Sequence, residues 1–219
     1  MTTPWSTGFE TGFCDYNEPA GYCYPLGVPQ LVTSPTPHSG HYAAAFSVNG
    51  DDASLLQARC VRHGALPLAA VYGAWYYIPA PQTNTGNWNL FHFTGGSDFS
   101  HLAGFLDVSL MTVNGGLQAV VRGPNFVQIG NPISPPPVPI GKWFHLELYL
   151  KRAPDTGGEV ALYQGTDDQE TQQLFDVTGV ATDDSDQGEW YVGNLAALNA
   201  LSPADSTVYV DDVSISATP

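Results

Sequence analysis

Positive charge is scarce in this chain. Six Lys+Arg stand against 21 Asp+Glu in 219 residues, a formal net charge of −15. Such a surface repels nucleic acid and anionic membranes, so neither is an expected partner. No run of 18 apolar residues occurs, so membrane insertion is not expected. Helical periodicity is missing beyond one or two turns, and no internal repeat is visible. No P-loop, dinucleotide fingerprint or G-x-S-x-G stands in the sequence. Cysteine is limited to three, Cys14, Cys23 and Cys60, with no zinc-ligand spacing.

What is present is a turn-rich, aromatic composition with 23 Gly, 18 Pro and 12% aromatic residues. Segments alternate with a period of two, as strands do. Trp143–Lys151 reads W-F-H-L-E-L-Y-L-K, with Phe144, Leu146, Leu148 and Leu150 on one side. In Gly104–Val113, Leu106, Val108 and Leu110 form an inner set and Phe105, Asp107, Ser109 and Met111 an outer set. Asn87–Phe93 places Phe91 and Phe93 inside, with Trp88 and His92 outside. In Val71–Ile78, Trp75 and Tyr77 are read as inward, and Tyr72 and Tyr76 as outward. Asn131–Ile140 is a Pro-rich loop that cannot enter a sheet interior. Ten or more such strands joined by short turns predict one all-β domain over residues 1–219, two antiparallel sheets packed face to face.

Cys14 and Cys23 share one Gly/Pro-punctuated segment, which predicts a local disulfide and leaves Cys60 as a small buried hydrophobe. A disulfide points to a secreted or cell-surface protein. The protein is expected to be a monomer or part of a larger multidomain protein.

The outer faces carry rings and hydrogen-bonding groups where an ordinary solvent face would carry Lys, Glu and Thr. Sugars present apolar C–H faces to rings and hydroxyls to polar groups. The candidate polysaccharide-binding residues are therefore Tyr72, Tyr76, Trp88, Phe105, Asp107 and Glu147.

The order S-G-H-Y-A, A-R-C-V-R, Y-G-A-W-Y-Y-I-P, W-N-L-F-H-F, G-K-W-F-H-L-E-L-Y-L, W-Y-V-G-N and V-Y-V-D-D-V-S-I runs nearly the whole length. It resembles the concanavalin-A-like lectin/glucanase superfamily, and more narrowly bacterial jelly-roll domains of the heparin-lyase and alginate-lyase group. That resemblance implies a β-jelly-roll. It also implies a structural calcium held by the early Glu10 of G-F-E-T-G, a carbonyl near the S-G turn, and the late Asp211 or Asp212. For a lyase it implies an Arg that neutralises a uronate (Arg59 or Arg62), a His base (His92 or His145) and a Tyr acid (Tyr149). The sequence departs from that pattern: no Q-x-H triplet and no R-x-E-L occur, and Leu90 precedes His92 by two. No glucanase-type pair of carboxylates stands at i and i+2 on a strand. Three readings follow: a calcium-bearing polysaccharide-binding module, a polysaccharide lyase, and a laminin-G-like adhesion domain.

Overall fold

The structure is a computed structural model that describes residues 5–17, 19–23, 27, 29–64, 66–95, 105–123, 128–129, 135–182 and 188–216. Residues 131–134 of the Pro-rich segment lie outside this set. In chain order the strands are β1 (Trp5–Thr7), β2 (Gly21–Cys23), β3 (Gln30–Val32), β4 (Ala43–Asn49), β5 (Gln57–Gly64), β6 (Ala69–Tyr77), β7 (Thr83–Asn84) and β8 (Trp88–Gly95). They continue with β9 (Leu106–Val113), β10 (Gly116–Arg122), β11 (Trp143–Lys151), β12 (Gly158–Thr166), β13 (Gln169–Val180), β14 (Gly188–Ala196), β15 (Leu201–Ser202) and β16 (Asp205–Ser216).

Two antiparallel sheets form a jelly-roll sandwich. The first runs β13-β12-β11-β6-β16-β4-β3, with β1 also on β16, and the second runs β10-β9-β8-β14-β5-β2. The core is what the alternation demands. Phe144, Leu146, Leu148 and Leu150 of β11 meet Leu106, Val108 and Leu110 of β9 in one buried cluster. Burial of such side chains contributes about 1.5–3 kcal/mol each. Trp190 packs edge-on to Tyr72 and Phe91, with centroids 5.0 and 5.4 Å away, and stacks on Phe93.

Two strands turn out differently from the sequence reading. In β6, Tyr72 and Tyr76 are fully buried, while Trp75 and Tyr77 lie on the outer face. Ala70, Ala74 and Ile78 share the parity of the two buried tyrosines and are themselves buried. The small residues set the face, and Tyr76 reaches across the core to donate from its hydroxyl to the Leu90 carbonyl at 3.1 Å. In β8 the pairing shifts between Asn89 and Phe91, a bulge that breaks the two-residue period. Trp88 and Leu90 are therefore buried along with Phe91 and Phe93, and the Trp88 indole N–H donates to Asn194 Oδ1 at 2.8 Å. Tyr72, Tyr76 and Trp88 are core residues and cannot stack on a sugar.

The disulfide joins Cys23 to Cys60, not Cys14 to Cys23. Cys23 and Cys60 are direct partners in the β2–β5 register, whereas Cys14 is exposed and free. Strand pairing, which spacing along the chain does not reveal, selects the partner.

Candidate active site on the second sheet

The outer face of the second sheet carries a compact polar cluster. His92 and Asp107 are register partners on β8 and β9, and His92 Nδ1 lies 2.6 Å from Asp107 Oδ1. A carboxylate can only accept, so Nδ1 carries a proton and Nε2 is the ring nitrogen turned away from Asp107. Asn89 Nδ2 donates to the second oxygen of Asp107 at 3.1 Å. The β8 bulge is what puts Asn89 and His92, three residues apart, on one face. Asp107 is wholly buried and the His92 side chain is only 12% exposed, so the imidazole is held in one orientation.

Three neighbours complete the cluster. Tyr191 on β14 is the register partner of His92, with ring centroids 5.0 Å apart, and its hydroxyl donates to Glu189. The Arg59 guanidinium lies over the Tyr191 ring at 4.5 Å and donates to Gln57 at 2.6 Å. Arg122 on β10 is the register partner of Asp107. Burial lowers the Arg122 pKa and the Asp107 charge pulls it back up. Phe105 packs edge-on against His92 at 5.1 Å. Gln57 and Arg122 also line an open cleft of about 720 Å³ with Asn87 and Leu195. Two of the six cationic side chains of the protein thus stand on one face beside a His–Asp pair.

Of the residues picked from sequence, His92, Asp107, Arg59 and Phe105 are brought together here. The others are not. Arg62 has the opposite parity to Arg59, donates to the Asp15 carbonyl and sits over the Trp5 ring at 4.5 Å. His145, Glu147 and Tyr149 lie on β11, on the outer face of the first sheet, so a pairing of Glu147 with Asp107 is excluded. Tyr191, Arg122 and Asn89 were missed. The alternation of W-Y-V-G-N places Tyr191 opposite the buried Trp190, a signal sufficient to have found it.

His145 stacks on Trp75, which stacks in turn on His38, with centroids 5.0 and 3.7 Å apart. Burial, with the His38 charge, pushes the His145 pKa down to about 4. Its unfolded value near 6.5 is higher, so the unfolded chain binds the proton more readily. The stabilisation is present above pH 6.5 and is lost as pH falls towards 4. Asp211 runs the other way, since burial raises its pKa to about 6 and its contribution is lost as pH rises to that value. Replacement His145→Gln is expected to remove the acid-side loss, up to about 3 kcal/mol between pH 6.5 and 4. Denaturant melts of both proteins across that range measure it, and parallel profiles refute it.

The calcium candidates Glu10, Asp211 and Asp212 meet at one turn. A second bulge, between Asp211 and Ser214 on β16, lets both aspartates face the same way, with Asp212 at φ 44°. Glu10 accepts from the His41 and Tyr42 amides, Asp211 from Ser39 and Asp212 amides, and Asp212 from the Ser39 hydroxyl and His38. Oxygen donors of this kind suit calcium. Among the described residues no three His, Cys, Asp or Glu side chains are close enough to hold a metal by themselves.

No family model matches the chain, and no curated protein matches it. Solved structures do. An alginate lyase from Aplysia kurodai superposes with a TM-score of 0.70 at 14% identity, covering 100% of both chains. An endo-β-1,4-glucuronan lyase from Trichoderma reesei gives 0.64 at 14% identity, covering 98% of this chain and 95% of its own. An alginate lyase from a Chlorella virus gives 0.58 at 11% identity, covering 87% and 89%. The chain shares the jelly-roll fold of these lyases.

Proposed function

We propose that this protein is a polysaccharide lyase that cleaves a uronate-containing chain by β-elimination on the outer face of the second sheet. The observation that carries this reading is the Asp107-held His92 with Arg59, Arg122 and Tyr191 around it. The fold shared with lyases of alginate and glucuronan supports it. Arg59 and Arg122 bind the uronate carboxylate and draw charge from C5. His92 Nε2 takes the C5 proton, and the C5–H electron pair becomes the C4–C5 double bond. The C4–O bond breaks, and its oxygen takes the Tyr191 hydroxyl proton. Trp88, Tyr72 and Tyr76, on which the binding-module reading relied, are buried.

Incubation with a panel of polyuronates, alginate and glucuronan among them, is expected to yield the ultraviolet absorbance of the unsaturated product. Retention on a polyuronate column without that absorbance on any member overturns the lyase reading and favours a binding module. The Cys23–Cys60 disulfide supports a secreted or cell-surface location. Calcium at the turn of residues 38–42 is a separate part of the proposal, with Glu10, Asp211 and Asp212 as its carboxylates. Added calcium is expected to raise the Tm of chelator-treated protein, by about 2.7 kcal/mol of stability at a hundredfold excess over Kd. An unchanged Tm removes the metal.

A further inference from the structure

A second pocket opens on the opposite side of the molecule. It holds about 400 Å³ and is lined by Tyr77, Lys142, Trp143, Asp167, Asp168 and Thr36 among others. Its floor is aromatic. Trp143 and Tyr77 are register partners on β11 and β6, with ring centroids 5.6 Å apart. Both rings are half-buried on the outer face, where no core requirement places them. The indole is fixed because its N–H donates to the Thr36 carbonyl at 2.9 Å. The rim is the turn between β12 and β13, where Asp167 and Asp168 are exposed. Asp167 is itself held by His38 Nε2 at 3.1 Å, and the His38 ring lies 6.0 Å from Trp143. The volume falls in the range of small-molecule sites.

We infer that the pocket of Tyr77, Trp143, Asp167 and Asp168 is a second glycan-binding site, specific for uncharged sugar residues. A fixed indole offers a face for the axial C–H groups of a pyranose. Adjacent carboxylates accept from neighbouring hydroxyls in charge-assisted bonds. Asp167 is already paired with His38, and the lining carries Lys142 but no guanidinium, so the pocket lacks the bidentate carboxylate seat of the Arg59–Arg122 face. The two sites lie on outer faces of different sheets and share no residue. The pocket therefore anchors a neutral stretch of polysaccharide or a neutral neighbouring polymer, whether or not the other face cuts.

The test uses the full chain and a panel of uncharged β-1,4-linked hexasaccharides of glucose, xylose and mannose, with a uronate hexasaccharide beside them. Tryptophan fluorescence and calorimetry read the binding. One site is expected for at least one neutral sugar, weakened tenfold or more in Asp168→Ala and lost in Trp143→Ala. Asp168 is exposed on a turn, so its substitution leaves folding intact, and a melt of each variant verifies this. His92→Ala is expected to bind the neutral sugar as the parent does, which separates this site from the proposed elimination site. The inference is overturned if no neutral sugar binds, or if Asp168→Ala binds unchanged. It is equally overturned if His92→Ala abolishes binding, or if the uronate occupies the pocket as tightly.

Discussion

Substitution His92→Ala is expected to lower the elimination rate by about 10²–10⁴ and, because it strips a partner from the wholly buried Asp107, to lower the Tm as well. The rate effect follows from the geometry of Nε2. Asp107 fixes the proton on Nδ1 at 2.6 Å, so the base is in the required tautomer before substrate arrives. The alanine removes the one imidazole that, among the described residues, stands with Arg59, Asn89, Asp107, Arg122 and Tyr191. Asp107→Asn is expected to be nearly as damaging, because an amide can donate to Nδ1 and trap the wrong tautomer. Initial rates of unsaturated-product formation measure both. Retention of more than a tenth of the activity by His92→Ala would remove it as the base. A silent Tyr149→Phe is the companion expectation, since Tyr149 stands on the other sheet.

Reduction of the Cys23–Cys60 disulfide is expected to cost about 4 kcal/mol, as closing a loop over a sequence separation of 37 does in the chain-entropy account. For a protein of this size that corresponds to a fall in Tm on the order of 10 °C. The native state gives a reason for the effect to be local at first. Strand β2 is three residues long and, among the described residues, stands at the sheet edge and pairs with β5 alone. Without the bond, the strand keeps three register pairs and the edge-on contact of Tyr22 with His63. Scanning calorimetry with and without reductant measures the shift, and the Cys60→Ala variant repeats it without reductant. A Tm indifferent to reduction, or a peptide map joining Cys14 to Cys23, would overturn the assignment.

Much of the fold was legible because alternation is a strong signal where it is uninterrupted. β11 and β9 carry Phe144, Leu146, Leu148 and Leu150, and Leu106, Val108 and Leu110, inward as read. It failed where one residue was added. The β8 bulge moved Trp88 inside, and no turn residue announces it. It failed again in β6, where Trp75 and Tyr77 were read as inward although Ala70, Ala74 and Ile78 share the parity of Tyr72 and Tyr76. The candidate site was half legible for a different reason. Alternation says inward or outward but does not say which sheet a strand joins. His92 and Asp107 were rightly outward, and so were His145, Glu147 and Tyr149, yet the two sets face opposite directions. Alternation alone turns Tyr191 outward, but only strand pairing sets it and Arg122 beside the site, as register partners of His92 and Asp107.

The placement of Arg59 and Arg122 gives the protein two electrostatic ranges. At a distance, an approaching polyanion meets a body of net charge −15 and is repelled. On the proposed lyase reading it then meets the half-buried Arg122 and the buried Arg59. Salt separates these ranges, because the screening length falls to about 10 Å at 0.1 M and exposed charges beyond it fade first. Brine therefore removes the barrier to encounter sooner than it weakens the grip. On the proposed lyase reading, a cationic seat in a chain of net charge −15 suits the capture of charged polymer where ions are plentiful.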